Sequence, residues 1–269
     1  MKNKRTHRYR SPEKIFSLCE AAAKEMGTFY QKRFVQYSYT FDDETEGHRS
    51  YSDEIAEFLL TRNLRSEIKR ISRKEPYDQD HQPIKKATVS TRIEAWVAKA
   101  MFTHSYNNNF SYNAIGTIID YETPLCTADA IKGIGKIDLL ALSPQKDMLY
   151  LIELKLDKKR KGNKKGQEES LLRAVLEIFT YSRIVTPEKL KKDFAKKIKN
   201  APVQLDDMAV VPVVAIFKNG KAHKQLTDCP VVIRLINELE VKIALLTGNV
   251  AKQGEDPSKT KIEVEWWQP

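Results

Sequence analysis

Residues 135–155 read GKIDLLALSPQKDMLYLIELK, and this stretch decides the fold of the chain. Two apolar runs flank a short polar segment that contains Pro144, a pattern that predicts a β-hairpin. Both runs are rich in Leu and Ile, as strands that are buried on two faces usually are. Charged side chains are rare in such strands unless they are paired or bind something. Asp138, Glu153 and Lys155 are therefore the first candidates for a functional site.

The alternation of side chains along a strand places Glu153 and Lys155 on one face. A suitable hairpin register brings Asp138 opposite one of them. Two close carboxylates repel each other, and one of them protonates unless a cation lies between them. Mg²⁺ prefers oxygen ligands and keeps its own waters, so the pattern predicts a Mg²⁺ site that Mn²⁺ could also fill. A buried salt bridge between Lys155 and either acid is the alternative.

An Asp on one strand and Glu-x-Lys on the next resemble the PD-(D/E)XK nuclease superfamily, although Ile137 stands where the family name has Pro. The resemblance covers roughly residues 88–240. It implies an α/β (α+β) fold of the restriction-endonuclease type, with an α-β-β-β-α-β core and a mixed central sheet flanked by helices. It also implies that Asp138 and Glu153 bind the metal with the backbone carbonyl of Leu154. Lys155 would then position a water or stabilise negative charge on a phosphate.

Two helices flanking these strands carry further candidates. The family often has an acid on its first core helix, and Glu94 in the helix predicted over 90–104 matches it. The alternative for Glu94 is a solvated acid near a helix N-terminus. Some branches carry Gln-x-x-x-Tyr on the helix after the Glu-x-Lys strand, and Glu177 and Tyr181 have that spacing with Glu replacing Gln. The alternative for this pair is a simple hydrogen bond within the helix.

A basic loop follows Lys155 directly. Its position predicts that its basic side chains contact the phosphate backbone of a nucleic acid. The alternative is a run of charges that is only solvated. The net charge of +10 and the isoelectric point near 9.3 also favour nucleic acid as the partner. DNA is expected rather than RNA. The six basic residues of the loop are Lys158, Lys159, Arg160, Lys161, Lys164 and Lys165.

The rest of the sequence frames these motifs. Residues 1–85 are predicted to form a helical N-terminal region, with helices near 12–34 and 52–71. Residues 86–269 are predicted to form the nuclease-like domain. The N-terminal region could recognise a target, bind a partner or form a homodimer. After the core, a strand is predicted over 208–217, a long helix over 231–246 and a last strand over 262–267. Pro212 suggests an edge or a bulge for the first of these strands.

Several classes of protein are disfavoured. The sequence has no apolar run long enough to span a bilayer and no apolar segment after the basic N-terminus, so a membrane or secreted protein is not expected. The three cysteines lack metal-binding spacing and predict reduced thiols in a cytoplasmic protein. The five histidines suggest no zinc site, and no phosphate-binding Gly-rich loop is present.

The sequence therefore predicts a Mg²⁺-dependent hydrolase, a nuclease that cleaves phosphodiester bonds. Two alternatives stay open because a fold does not fix a function. The first is a catalytically inactive module that binds nucleic acid or a partner on the same fold. The second is a structural protein in which Asp138, Glu153 and Lys155 form a buried ion network.

Overall fold

The computed structural model describes residues 12–36, 50–84, 93–125, 134–156, 169–198, 204–251, 255–256 and 259–268. Six strands form one mixed sheet, in which the strands lie in the order of the sequence. The pairs β1–β2, β2–β3 and β5–β6 are antiparallel, whereas β3, β4 and β5 run parallel. The strands are β1 (Thr117–Pro124), β2 (Lys136–Leu142), β3 (Met148–Lys155), β4 (Ala209–Phe217), β5 (Lys242–Asn249) and β6 (Lys261–Trp266).

Helices connect the parallel strands, because such strands need a crossover from one end of the sheet to the other. Helices α6 to α8 lie between β3 and β4, and helices α9 and α10 lie between β4 and β5. The helices are α1 (Pro12–Ala22), a 3₁₀ helix (Ala23–Gln31), α2 (Arg33–Gln36), α3 (Tyr51–Leu60), α4 (Leu64–Glu67), α5 (Ile93–Asn108), α6 (Leu171–Ile184), α7 (Pro187–Asp193), α8 (Ala195–Ile198), α9 (Lys221–Asp228) and α10 (Pro230–Glu238).

The sheet separates two apolar clusters, since successive residues of each strand point to opposite faces. Leu140 and Leu151 pack on one face with α6 and the N-terminal helices, and Leu139 and Ile152 pack on the other with α5. The hairpin of β2 and β3 is thus confirmed, and the burial of both faces explains its Leu-rich composition.

The N-terminal helices belong to the cluster that covers the first face. Phe29 and Ile55 lie in the same cluster as Leu151 and Phe179. The Ser170 hydroxyl donates a hydrogen bond of 2.7 Å to the carbonyl of Val35. The 3₁₀ helix and α2 therefore pack on α6, whereas α3 packs mainly on α10.

The helix predicted over 12–34 is interrupted in the structure. Regular helix ends at Ala22, and the 3₁₀ helix that follows contains a break at Glu25, whose φ and ψ are −130° and 60°. The helix predicted over 52–71 is also shorter. It begins after Ser50, whose hydroxyl accepts a hydrogen bond from the Asp53 amide, and it ends at Leu60.

The long helix predicted over 231–246 is wrong in its second half. Helix α10 ends at Glu238, and Glu240 adopts a left-handed φ of 55°, which a continuing helix does not allow. The following apolar run from Val241 forms β5 beside β4. Short apolar runs fit a buried strand and a buried helix equally well, so the pattern alone could not separate the two.

Pro212 lies in β4, which is an interior strand of the sheet, so the predicted edge strand is wrong for β4 as a whole. The pairing of β4 with β5 begins at Val213, one residue after the proline. At Pro212 itself, β3 is the only strand of the described residues that pairs with β4. The proline therefore occupies the part of the strand that has a single neighbour, where a missing N–H is tolerated.

Among the described residues, no helix has the length and the apolar character required to cross a bilayer.

Candidate functional site

The β2–β3 hairpin brings the three predicted charges together. Leu139 pairs with Ile152, and one further step in this register sets Asp138 opposite Glu153. Instead of an ordinary backbone pair at that step, the amide N–H of Leu154 donates to Oδ2 of Asp138 over 2.9 Å. The side chain of Asp138 is thereby fixed beside the end of β3 that carries Glu153 and Lys155.

Lys155 is held by three carboxylates. Its Nζ lies 2.6 Å from Oε1 of Glu153, 3.0 Å from Oε2 of Glu169 and 3.2 Å from Oε2 of Glu177. The side chains of Lys155 and Glu153 are 13% and 7% exposed, so these ion pairs are largely screened from water. The salt bridge that the sequence offered as an alternative to a metal site is therefore present.

Helix α6 supplies the acid that faces Lys155 from across the site. The helix begins after Ser170, whose hydroxyl accepts a hydrogen bond of 3.1 Å from the Arg173 amide. Arg173, Glu177 and Tyr181 are spaced by four residues and lie along one side of the helix. The Tyr181 hydroxyl donates to Oε1 of Glu177 over 2.9 Å. The intrahelical bond that was the alternative to a site role for this pair thus exists, and the same carboxylate also reaches Lys155.

Among the described residues of this site, negative charge is in excess. Four carboxylates, those of Asp138, Glu153, Glu169 and Glu177, surround the two cations Lys155 and Arg173, which leaves two negative charges when every group is ionised. Arg173 pairs with Glu169, and its guanidinium Nε is 3.8 Å from Oε2 of Glu177.

The pKa values of the site follow from this charge and from burial. Burial raises the pKa of Asp138 to about 7, opposed by Lys155 and the Leu154 amide and assisted by Glu177 and Glu94. Burial, Asp138 and Glu177 raise the pKa of Glu153 well above its usual range. Burial alone would lower the pKa of Lys155, but the surrounding carboxylates outweigh it and raise this pKa well above its usual value.

One oxygen of each strand acid accepts no hydrogen bond from the described residues. No hydrogen bond from the described part of the chain reaches Oδ1 of Asp138 or Oε2 of Glu153. Within the same residues, no three His, Cys, Asp or Glu side chains are arranged to hold a metal ion. Mg²⁺ often takes only one or two protein carboxylates and completes its shell with water or phosphate oxygens. The donor set of these two acids therefore fits such an ion.

The other residues predicted for the site are Glu94, the carbonyl of Leu154 and the basic loop. Glu94 lies half-buried in the first turn of α5, and its charge contributes to the raised pKa of Asp138. The role of the Leu154 carbonyl stays a prediction. The predicted basic loop falls outside the described residues, with all of Lys158, Lys159, Arg160, Lys161, Lys164 and Lys165.

Three residues that the structure places at the site were not predicted from the sequence. The spacing of Glu169 and Arg173 is a signal that could have identified them. Glu169 lies eight positions before Glu177 and Arg173 lies four positions before it, which is the spacing of neighbours on one side of a helix. Tyr30 had no local signal. It lies in the N-terminal region, and its ring meets that of Tyr181 edge-on at 5.9 Å.

No family model matches the chain, and no curated protein or solved structure is significantly similar to it. The likeness to the PD-(D/E)XK superfamily stays a prediction from motif spacing.

Proposed function

We propose that this chain is a metal-dependent nuclease of the PD-(D/E)XK type, which hydrolyses phosphodiester bonds in nucleic acid and prefers DNA. The observation that carries the proposal is the buried cluster, in which the described groups leave two negative charges in excess and one oxygen of each strand acid without a hydrogen bond. The order α5-β1-β2-β3-α6, followed by β4, supports a restriction-endonuclease-like core.

Asp138 and Glu153 would hold Mg²⁺ or Mn²⁺ with the carbonyl of Leu154. A divalent cation offsets the two excess charges and keeps both carboxylates ionised, which burial otherwise opposes. When bound, such an ion polarises a phosphodiester and lowers the pKa of a bound water. Glu94, in the first turn of α5, would supply a further carboxylate near the metal ion.

Lys155 would provide the hydrogen-bond donors of the reaction. An ammonium surrounded by carboxylates stays charged, so it donates hydrogen bonds and does not serve as a base. From the end of β3 it can orient the attacking water or stabilise the negative charge that develops on the phosphate. Glu177 is the acid that orients the ammonium from the helix side.

Nucleic acid is the partner that the overall charge favours. The net charge is +10, and the basic loop at Lys158–Lys165 follows the catalytic strand directly in sequence. Contacts of this loop with phosphates would position the backbone without reading the bases. A cytoplasmic location accords with this role.

The test is cleavage of plasmid, linear duplex DNA, single-stranded DNA and structured RNA, with Mg²⁺, Mn²⁺ or EDTA. Asp138→Asn and Lys155→Met should lower the rate by at least about 10²-fold, because each removes charge stabilisation in the transition state. Glu263→Gln, at an exposed position of β6, is the matched control and should cleave like the wild type. Metal-independent cleavage, or full activity in Asp138→Asn, would refute the proposal.

One observation favours a second function. The three ion pairs give the Lys155 ammonium its partners within the chain, as they would in an inactive module that binds nucleic acid or a partner. Calorimetry with Mn²⁺ separates the two functions. An inactive module would bind DNA in a salt-dependent way but show neither cleavage nor metal binding at Asp138.

A further inference from the structure

We propose that Glu169 occupies the position of a substrate phosphate, between Lys155 and Arg173, and that Arg173 binds a phosphate of the nucleic acid once this carboxylate turns away. The inference rests on the proposed function and deepens it, because it takes a phosphodiester as the ligand of the same site. It makes Arg173 a phosphate-binding residue and Glu169 an internal competitor of the substrate.

The carboxylate of Glu169 bridges the two cations of the site. Its Oε2 lies 3.0 Å from Nζ of Lys155, and its Oε1 accepts a hydrogen bond from Nη1 of Arg173. Each oxygen therefore has one charged donor. Two oxygens of a phosphodiester share a negative charge and accept hydrogen bonds from lysine and arginine in the same way. The two cations are thus already spaced for an anion with two acceptor oxygens.

Glu169 is the acid of this cluster that borders the solvent. Its side chain is 41% exposed, whereas those of Lys155 and Arg173 are 13% and 19% exposed. Glu153 and Glu177 are buried. Ion pairs of an exposed carboxylate contribute little to stability. A ligand that arrives from the solvent therefore meets Glu169 first, and its displacement costs the fold little.

The backbone beside Glu169 does not need to move for this exchange. The neighbouring Ser170 is fixed, because its amide donates to the carbonyl of Gln36 over 3.0 Å and its hydroxyl donates to that of Val35 over 2.7 Å. Side chains at exposed positions change rotamer within nanoseconds. Rotation of the Glu169 side chain is therefore enough to open the space between the two cations.

Arg173, in contrast, is fixed by helix α6. It lies in the first turn, where its amide donates to the Ser170 hydroxyl over 3.1 Å. Among the described residues its buried Nε has no hydrogen-bond partner, since Oε2 of Glu177 is 3.8 Å away. A phosphate has enough oxygens to accept from Nε and from an Nη group together. It can therefore satisfy a donor that Glu169 does not reach.

The exchange conserves the charge of the site. Glu169 and a phosphodiester each carry one negative charge, so one replaces the other without a change in the balance. The four carboxylates, the two cations and one divalent metal ion would together be neutral. A phosphodiester added beside Glu169 would leave one negative charge uncompensated in a largely buried cluster, which is unfavourable. Displacement of Glu169 is therefore favoured over binding beside it.

The test is a titration with inorganic phosphate in EDTA, monitored by NMR on the full chain labelled with ¹³Cε-lysine. The reporter is the signal of Lys155, which is identified by its disappearance in Lys155→Arg. Glu169→Gln should lower the phosphate concentration at half-shift by about fivefold or more, because the competing carboxylate is neutralised. Glu188→Gln, at an exposed position in the first turn of α7, removes the same charge and should titrate like the wild type.

The double variant Glu169→Gln/Arg173→Gln tests the arginine. Its net charge equals that of the wild type, so overall charge does not account for a difference between the two. It should lose the affinity gained in Glu169→Gln, because the phosphate no longer has the guanidinium as a partner. A double variant that keeps this gain would show that Arg173 does not bind the phosphate, and the inference would be overturned.

Cleavage gives a second readout, which separates this inference from the nuclease proposal. In an active wild type, Glu169→Gln should lower KM for duplex DNA by about fivefold, and Glu188→Gln should keep the wild-type KM. If the wild type cleaves and Glu169→Gln changes neither KM nor the phosphate titration, the nuclease stands and the inference is overturned. If the wild type cleaves no substrate, the nuclease proposal fails. A gain in phosphate affinity in Glu169→Gln would then still support Glu169 as the competitor of an anion, and an unchanged titration would overturn that role as well.

Discussion

At the scale of single residues, Asp138 links the site to the stability of the protein. Its pKa is raised to about 7, from an ordinary value of 3.8. The folded protein therefore holds a proton that the unfolded chain releases, and the contribution of Asp138 to stability falls as the pH rises from about 4 to 7. Below this window that contribution is fully present.

The expected fall in stability with rising pH gives a prediction for Asp138→Asn, a variant that keeps an acceptor for the Leu154 amide. In EDTA, the wild type should lose more stability between pH 5 and pH 8 than the variant does, as measured by Tm. Mn²⁺ at pH 8 should raise the Tm of the wild type more than that of Asp138→Asn, since a ligand that binds the folded state stabilises it. Identical pH slopes in the two proteins would contradict the raised pKa.

Gly135 carries a second prediction at this scale. Its replacement by Ala sets a methyl group against the hydroxyl of a buried tyrosine, and overpacking of this kind costs about 1–3 kcal/mol. The cost should shrink in the double variant Gly135→Ala/Tyr181→Phe, which lacks the opposing oxygen. Urea unfolding of all four proteins measures this coupling. An unchanged cost without the hydroxyl would show that the two groups are not in contact.

At the scale of elements, a fully buried acid fastens the segment between α4 and α5 to the sheet. Asp120 of β1 lies 2.9 Å from Nδ1 of His81, and its other oxygen accepts a bond of 2.6 Å from the Thr123 hydroxyl. Lys197 of α8 lies 3.9 Å from the same carboxylate. Three segments that are distant in sequence therefore meet at one side chain.

We expect Asp120→Ala to lower the free energy of unfolding by about 1–3 kcal/mol, because it leaves the buried Thr123 hydroxyl without its acceptor and frees His81. The segment around His81 should also become sensitive to limited proteolysis. Asp207→Asn, at an exposed position before β4, is the control and should change neither property. A loss below about 1 kcal/mol in Asp120→Ala would mean that the contact is not structural.

At the scale of the whole molecule, the net charge of +10 predicts nucleic-acid binding that weakens with salt. Replacing Lys158, Lys159 and Lys161 with Gln should reduce the salt slope by about 0.9 for each phosphate that the loop no longer neutralises, as measured by fluorescence anisotropy on duplex DNA. The same three substitutions at Lys14, Lys24 and Lys69, exposed on the N-terminal region, form the control. Equal reductions in both sets would show that binding follows overall charge and not the loop.

The sequence by itself determined the features that depend on near neighbours. The two-residue period of the hairpin placed Asp138, Glu153 and Lys155 together, and the four-residue period of α6 paired Glu177 with Tyr181. Each of these relations spans one turn or one strand pair, so local geometry is enough to fix it.

The tertiary structure decided which distant segments meet. Tyr30 lies 151 positions before Tyr181 in the chain, and no periodicity connects them. The apolar run from Val241 became a strand and not a helix because the parallel edge of β4 was there to pair with it. Contacts of this kind depend on how whole elements pack around a shared core, and local pattern carries no information about that packing.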